Sequence, residues 1–425
     1  MTQITQAIKQ LEAGRLDPIL TELYTEKGVA PQRARYVQAL QEFAALYGER
    51  EVALFSAPGR TEIVGNHTDH NRGRVLAASV NLDVIVVAAK SPEPVVRLQS
   101  KGHDANRVEL SRLTPVPEEE GTSNSLIRGI CARFSQLGHP VGGFDAYTTS
   151  DVLRGSGLSS SAAFEVAVGT VLNDFFAANA FSAVEIAQIG QYAENVFFGK
   201  PCGLMDQTAC SVGSFVAIDF ADSDAPAIRS VAFDFASCGY DLCIVNTGGS
   251  HADLTQDYAA VPAEMKQAAA FFGAPVLRDV EEEEFWSRLG ELRAAVSDRA
   301  VLRAVHFMEE NRRAALAADM LEAGDFSSFK QLIIESGRSS FLYNQNVYAP
   351  KNPEEQGLSV ALALAEHLLR GRGAYRVHGG GFAGTIQAFV PTYLTPEFSA
   401  QMDAVFGPGA CQALSIRPRG GCRVL

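Results

Sequence analysis

A glycine- and serine-rich stretch near the middle of the chain has the composition of a phosphate-binding loop. It runs straight into a helix-compatible segment, residues 164–176. Glycine lets the backbone curl so that successive N–H groups converge, and a following helix presents its positive dipole end to an anion. A glycine-rich surface turn is the alternative on this stretch alone. The residues expected to bind phosphate are Gly155, Ser156, Gly157, Leu158, Ser159, Ser160 and Ser161.

A second polar segment, residues 57–73, lies between two apolar, strand-like runs and is dense in hydrogen-bonding side chains. It carries Asn66, His67 and Asp69. Amide, imidazole and carboxylate groups suit sugar hydroxyls, and polar loops on a strand scaffold commonly bind ligands. Zinc is the less favoured alternative, because His67 and His70 lack a third ligand at a recognised spacing.

A third glycine run, residues 379–384, has the G-x-G-x-x-G spacing of dinucleotide-binding folds. The segment before it, residues 374–378, reads as a strand, but residues 385–391 after it are also rich in β-forming residues. The glycines are therefore expected to join two strands instead of opening a helix, and an oxidoreductase is disfavoured. A glycine hairpin next to a nucleotide is the better interpretation.

Composition limits the class of protein to which these stretches belong. A chain of 425 residues with 47% hydrophobic and 20% charged residues is expected to form two domains. A net charge of −13 argues against nucleic acid or an anionic membrane as a partner. The sequence lacks a long apolar run and a secretory core at its start, and its seven scattered cysteines read as reduced thiols, so a cytoplasmic location is predicted.

Local periodicity supplies the elements that must position these residues. Residues 1–47 show helical periodicity, with Gly28 and Pro31 as interruptions. Short apolar strands are predicted at 52–56, 75–81, 84–89, 95–99 and 242–247, and helices at 262–272, 300–323 and 358–369.

Taken together, the three motifs resemble those of the GHMP small-molecule kinases, and the first resembles the galactokinase signature. Order and spacing agree from about residue 50 onward, which makes the signal much stronger than any single motif. The resemblance implies an α+β, two-domain GHMP-kinase-like fold with mixed and antiparallel sheets and an active site in the cleft between the domains. Placed by motif, the domains are residues 1–205, with the helical appendage, and residues 206–425.

The resemblance also implies a role for individual residues, with ATP and Mg²⁺ as cofactors. Asp206 would be the catalytic base and Arg60 its stabilising partner, although an Asp at a helix start is usually a cap. Ser161 and Glu194 would coordinate Mg²⁺, although Glu194 could be an ordinary surface acid. The residues implied to bind the sugar are Asn66, His67, Asp69, Gly203 and Tyr258.

The implied activity is ATP-dependent phosphorylation of the anomeric hydroxyl of galactose by a monomer whose only partners are the sugar and ATP. A kinase for a related sugar, such as galacturonate or N-acetylgalactosamine, and a non-catalytic sugar sensor are the alternatives. The chain departs from the family pattern in three places: Asn66 replaces Glu, His70 replaces Tyr, and Gly337 replaces the His of His-Arg-Ser. Residues 122–129 also lack the Trp that many galactokinases place near the nucleotide.

Overall fold

The computed structural model describes residues 1–152, 157–223, 225–249 and 254–425. Its strands are β1 Thr2–Gln3, β2 Glu51–Val64, β3 Arg74–Lys90, β4 Val95–Ser100, β5 Asn106–Glu109, β6 Phe144–Ser150, β7 Phe215–Asp219, β8 Ala227–Val231, β9 Tyr240–Asn246, β10 Ala374–His378, β11 Thr385–Pro391, β12 Cys411–Leu414 and β13 Cys422–Arg423.

The helices are α1 Ile4–Glu12, α2 Asp17–Tyr47, α3 Ser123–Gln136, α4 Ser160–Phe176, α5 Ala183–Ala193, α6 Met205–Val212, α7 Thr255–Phe271, α8 Glu282–Ser287, α9 Leu289–Ala295, α10 Asp298–Glu322, α11 Phe326–Ser339, α12 Gly357–Leu369 and α13 Thr395–Phe406. Two π-helical segments, Glu194–Phe198 and Ser340–Asn344, extend α5 and α11. The predicted helices and strands outside the first motif are present, with two corrections. The strands predicted at 75–81 and 84–89 are one continuous strand, β3, because the intervening polar Asp83 is hydrogen-bonded inside the protein, and the helix predicted at 262–272 begins at Thr255. The other ends differ by a few residues.

The first sheet is built on the long strands β2 and β3. Its main path is β1-β2-β3-β6-β4-β5, with β13 paired to β2 and the β7–β8 pair joined to β3. The β4–β6 pair is parallel and the others are antiparallel. The sheet is therefore mixed, as predicted. The second sheet, of order β10-β11-β9-β12, is antiparallel throughout.

Side chains alternate across the first sheet, so each face has its own core. Ala53, Phe55 and Ala57 of β2 join a core with helices α3, α4 and α5. Val52 and Leu54, which point the other way, pack against α1 and α2. The N-terminal helices therefore cover a sheet face that would otherwise be exposed to water.

Two local expectations are corrected. Strand β2 continues through the start of the first motif to Val64, so Arg60 lies on a strand and not in a loop. Helix α2 is broken at Thr25, where φ is 63°, and continues through Gly28 and Pro31. Apolar packing of both halves of α2 on the sheet outweighs the low helix propensity of glycine and proline.

The glycine run 379–384 joins β10 to β11, which pair antiparallel. This confirms that the run does not open a helix. Strands β7 and β8 follow residue 205 and belong to the first sheet, and the division into residues 1–205 and 206–425 stays a prediction. Among the described residues, none of the helices combines the length and the hydropathy needed to cross a bilayer.

Candidate active site

Arg60 of β2 and Asp206, the second residue of α6, form a bidentate ion pair. Arg60 Nε donates to Asp206 Oδ1 and Arg60 Nη2 donates to Oδ2, both at 2.8 Å. The Ser159 hydroxyl also donates to the Asp206 carboxylate, and Arg60 Nη1 donates to the carbonyl of Gly157. Two parallel charged hydrogen bonds fix both position and orientation of the carboxylate. Asp206 lies two residues beyond the N-cap position, which Leu204 occupies, so it is more than a cap.

The environment of Asp206 favours its charged form. Burial alone would raise the pKa of this carboxyl, but the Arg60 guanidinium outweighs burial and leaves the pKa below its usual range. The Asp206 side chain is 33% exposed, against 11% for Arg60. The carboxylate is therefore ionised at neutral pH and still reachable by a ligand.

The described part of the predicted phosphate loop adjoins this pair. Gly157 and Ser159 both have positive φ, and α4 begins at Ser160. A Cβ on Gly157 would lie 3.1 Å from the His378 ring, so glycine allows the loop to approach the second sheet. Gly155 and Ser156, also predicted to bind phosphate, lie outside the described residues.

The His378 side chain connects the two sheets next to the loop. Its ring nitrogens contact the hydroxyls of Thr61, at 3.0 Å, and Thr385, at 2.9 Å. Burial lowers the pKa of His378 to about 3, so the ring is neutral. Sequence analysis missed this residue, and its place at the end of β10, before the glycine run, was the available signal.

A cavity of about 580 Å³ opens beside the start of α4. Leu126, Phe164 and Phe198 supply apolar lining, and Lys101, Ser160 and Ser161 supply polar groups. An apolar pocket with a few polar groups at its edge is the usual form of a small-molecule site. The predicted loop residues Ser160 and Ser161 thus line a cavity large enough for a ligand.

Glu194 lies in a buried cluster with Glu165 and Gln207. Gln207 Nε2 donates to Glu165 Oε2 at 2.9 Å and to Glu194 Oε2 at 2.8 Å. Burial and the facing Glu194 carboxylate raise the pKa of Glu165 to about 8. Lys200 lies 3.4 Å from Glu194 Oε1. Glu194 is thus a buried group and not an ordinary surface acid, and it opens a π-helical segment of the kind often found at functional sites.

This cluster has the chemistry of a site for a hard cation. Among the described residues, Glu165 Oε1 and Gln207 Oε1 are buried oxygens without a hydrogen-bond partner. Ser161 precedes Glu165 by four residues on α4, so both lie on one side of that helix. Carboxylate, amide and hydroxyl oxygens are the ligands that Mg²⁺ accepts. The residues present therefore fit the predicted cofactor.

Four of the predicted sugar-binding residues lie around the glycine run of the second sheet or near the start of α6. His67 Nε2 donates to the Gly380 carbonyl at 2.9 Å. Tyr258 Oη donates to the carbonyl of the next residue, Gly381, at 2.7 Å. A Cβ on Gly203 would lie 3.7 Å from Asp69 Oδ2. Asp69 is therefore close to Gly203, which precedes Asp206 by three residues in the sequence.

His67 and Tyr258 are both neutral at physiological pH. Burial lowers the pKa of His67 to about 4, and burial raises the pKa of Tyr258 to about 12. Their N–H and O–H groups are therefore permanent donors, and in the structure both donors hold the glycine run in place.

Asn66 is placed differently from the other predicted sugar-binding residues. It is fully buried, and its amide nitrogen donates to Gly379 O at 2.7 Å and to Glu62 Oε1 at 3.2 Å. Its oxygen accepts from Asn346 Nδ2 at 2.8 Å and from Ser340 Oγ at 3.3 Å. Full burial with both amide donors used argues against the predicted contact between Asn66 and the sugar.

Comparisons with known proteins give matches that include the first two motifs and cover most of the chain. The model of the GHMP kinases N terminal domain matches residues 125–214, and the galactokinase galactose-binding signature matches residues 41–90. The galactokinase of Actinobacillus pleuropneumoniae serotype 5b is 34% identical over 364 residues, which cover 83% of this chain and 89% of that protein. The galactokinase of Streptomyces coelicolor is 32% identical, with coverage of 91% and 97%.

Solved structures share the fold. Lactococcus lactis galactokinase complexed with galactose has a TM-score of 0.75 at 24% identity, covering 92% of this chain and 99% of that one. Methanococcus jannaschii mevalonate kinase has a TM-score of 0.61 at 14% identity, with coverage of 86% and 98%. The solved structures confirm the predicted α+β GHMP-kinase fold. The galactokinase relatives confirm the predicted enzyme class of a sugar kinase. The chain belongs to the galactokinase family of the GHMP kinases.

Proposed function

We propose that this protein transfers the γ-phosphoryl group of ATP to the anomeric hydroxyl of galactose, giving galactose 1-phosphate and ADP. The observation that carries the proposal is the bidentate Arg60–Asp206 pair, which also contacts Gly157 and Ser159 of the phosphate loop. A carboxylate that is ionised, partly exposed and next to a phosphate loop is suited to accept a proton from a hydroxyl nucleophile. The names of the relatives support galactose as the sugar.

The proposed chemistry follows from the charges at this point. Asp206 accepts the proton of the anomeric hydroxyl as its oxygen attacks the γ-phosphorus and the bond to the ADP oxygen breaks. Arg60 keeps the carboxylate ionised and faces the charge that develops on the transferred group. In a loose phosphoryl-transfer transition state the nucleophile loses its proton late, so a weak base is adequate. The anomeric hydroxyl is also the most acidic hydroxyl of the sugar.

The nucleotide would occupy the cavity at the start of α4. Its apolar walls, including Leu126 and Phe164, suit a purine ring, and Lys101 offers a positive charge. The N-terminal end of α4, with Ser160 and Ser161, would face the phosphates, since helix N-termini favour anions. This assignment supplies nucleotide contacts for a chain that lacks the Trp found in many galactokinases.

We assign Mg²⁺ to the oxygen cluster of Ser161 and Glu194, with Gln207 and Glu165 behind it. Bound there, the cation would neutralise phosphate charge and help to align the γ-phosphoryl group. Lys200 would complement Glu194 from the solvent side.

The sugar would lie between Asp69 and the glycine run, with Gly203 leaving room beside Asp69. His67 and Tyr258 would hold the run that forms one wall. The replacement of Glu by Asn66 in the first motif favours a uronate, because an amide does not repel a carboxylate. The burial of Asn66 weakens that case. The complete Arg60–Asp206 pair argues against a non-catalytic sensor. A cytoplasmic location, predicted from the sequence composition, and a monomeric state, implied by the resemblance, remain expectations.

An assay of sugar-dependent ADP release tests the proposal. Galactose, galacturonate, N-acetylgalactosamine and glucose are supplied in turn with ATP and Mg²⁺, and the phosphorylated carbon is identified by NMR. We expect galactose to give the highest kcat/KM and phosphate on carbon 1. Nucleotide and galactose binding without ADP release would favour a sensor, and a higher kcat/KM for galacturonate would favour a uronate kinase.

A further inference from the structure

One side chain of the N-terminal appendage reaches two strands of the first sheet where their pairing begins, in the middle of β3 and near the end of β6. Arg35 of α2 donates from Nη1 to Asp83 Oδ1 at 2.6 Å and from Nη2 to the carbonyls of Asp83, at 3.0 Å, and Thr149, at 2.9 Å. Its Nη1 also lies 2.9 Å from Asp151 Oδ2. A single planar guanidinium therefore connects β3, β6 and the residue that follows β6.

The parts of β3 and β6 that Arg35 binds form a wall of the cavity assigned to the nucleotide. Val84, the neighbour of Asp83, pairs with Ser150 between β3 and β6. Both residues line the cavity, as do Thr149 and Val152. Arg35 thus binds the backbone of the wall from the side opposite the cavity, without lining the cavity itself. A displacement of either strand at this point would change the width of the nucleotide site.

The anchor beneath Arg35 is rigid. Asp83 is fully buried and accepts additional hydrogen bonds from Ser56 and Tyr24, and Arg417 Nη1 lies 3.3 Å from it. Only 12% of the Arg35 side chain is exposed. Buried charges with several partners hold a single geometry, because any shift leaves a charge unpaired in the interior.

We propose that Arg35 is a positioning residue for the nucleotide: it fixes the middle of β3 and the end of β6, so that the cavity wall is in place before ATP binds. The inference rests on the proposed function, since it takes the cavity as the nucleotide site. The appendage would thus have a second role beyond covering the sheet. Preorganisation of this kind lowers the cost of ordering a site on binding.

The test measures binding of a non-hydrolysable ATP analogue with Mg²⁺, and of galactose, by titration calorimetry. The variants are Arg35→Lys, Asp151→Asn and the double variant. We expect each single variant to weaken binding of the analogue by roughly three- to tenfold, the scale of one ordinary hydrogen bond. The affinity for galactose should be unchanged, and the double variant should lose less than the product of the single effects.

Arg33→Lys is the matched control. Arg33 lies on the same helix and pairs with Asp17 at 2.6 Å, where both side chains are about a third exposed. This variant should leave both affinities at the wild-type value. Deletion of the appendage would not serve as a test, because it would also expose the apolar sheet face that α1 and α2 cover.

Unchanged binding of the analogue, an equal loss of galactose affinity, or fully independent effects of Arg35 and Asp151 would overturn the inference. If Arg35→Lys does not fold, binding of the analogue is measured on Asp151→Asn and Gln32→Ala instead, and it should again be weakened. Gln32 is suitable because it contacts Asp151 outside the buried cluster. A wild-type protein that binds the analogue but does not phosphorylate galactose refutes the proposed function and leaves this test intact. A wild-type protein that does not bind the analogue refutes both.

Discussion

Arg60 and Asp206 are 146 residues apart in the sequence and are joined by two hydrogen bonds of 2.8 Å. Strand β2 fixes one partner and helix α6 the other, so the orientation of the carboxylate does not depend on a loop. Sites built on strands and helices hold reacting groups more accurately than sites built on loops. The first predictions concern this pair.

Asp206→Asn should lower kcat by roughly 10²-fold or more, the scale of general acid–base catalysis. The amide keeps one oxygen toward Arg60, so the variant should still fold and its affinity for a non-hydrolysable ATP analogue should change little. Steady-state kinetics and calorimetry check both expectations. Ser159→Ala removes a neighbouring hydroxyl without removing the carboxylate, and it should retain more activity than Asp206→Asn. Near-normal turnover of Asp206→Asn would exclude Asp206 as the base.

The dependence of activity on pH should report the same pair. Because the pKa of Asp206 is lowered, the carboxylate stays ionised as pH falls. On the acidic side of the pH profile, kcat/KM should therefore decrease only below the ordinary Asp range, about pH 4. In Arg60→Gln, burial acts without the opposing guanidinium, so the limb should move to higher pH as well as to lower rates. Arg72→Gln, in the same motif but paired with Asp279, is the control. An acidic limb at the same pH in Arg60→Gln would contradict the assignment.

Stability should change with pH in the sense set by the same shift. A carboxyl group whose pKa is lowered by folding stabilises the folded state above its unfolded pKa. That contribution is lost as pH falls through the lowered value. Asp206→Asn should therefore destabilise the protein less at pH 3 than at pH 7, as measured by urea denaturation. An equal loss at both pH values would show that the ion pair does not contribute.

Glu194→Gln and Ser161→Ala should each raise the Mg²⁺ concentration needed for half-maximal rate, because a hard cation loses a charged or an oxygen ligand. The rate is measured at fixed ATP while total Mg²⁺ is varied above the ATP concentration. Glu118→Gln removes an exposed carboxylate and should behave as wild type. An unchanged Mg²⁺ requirement in both variants would place the cation elsewhere.

Asn66→Glu should destabilise the protein, because it places a second buried carboxylate within hydrogen-bond distance of Glu62. Arg376 pairs with Glu62 at 2.8 Å and can neutralise one of the two charges. The double variant Glu62→Asn/Asn66→Glu restores one amide and one carboxylate, so its melting temperature should exceed that of Asn66→Glu alone. Like charges in the interior cost several kcal/mol, on the order of 3–5. Equal melting temperatures for the single and double variants would exclude a direct interaction between these positions.

The local parts of the structure were predictable from local sequence. The residues 374–378 and 385–391 form a strand pair as expected, because alternation and glycine placement act over a few residues. The pairing of Arg60 with Asp206 was implied by the family resemblance and not by any spacing in the chain. Resemblance transfers contacts that no local pattern encodes.

Other parts of the site could not be predicted, for a physical reason. The bridge from Gln207 to Glu165 and Glu194 joins three helical segments, and its geometry depends on how α4, α5 and α6 pack. In sequence, Arg35 looks like an ordinary helical arginine. Its role depends on contacts with Asp83 of β3 and Thr149 of β6, which are more than 40 residues away. Burial of Asn66 likewise arises from residues of the second half of the chain.

Strand β3 separates the proposed sugar site from the proposed nucleotide site. Residues 74–78, which pair with β7, adjoin the sugar motif, and residues 84–90, which pair with β6, begin at the nucleotide cavity. At the rise of a strand, residues 75 and 84 are roughly 30 Å apart along β3. Mutational effects at such distances are close to additive. Sugar choice and nucleotide choice can therefore evolve, or be engineered, one at a time.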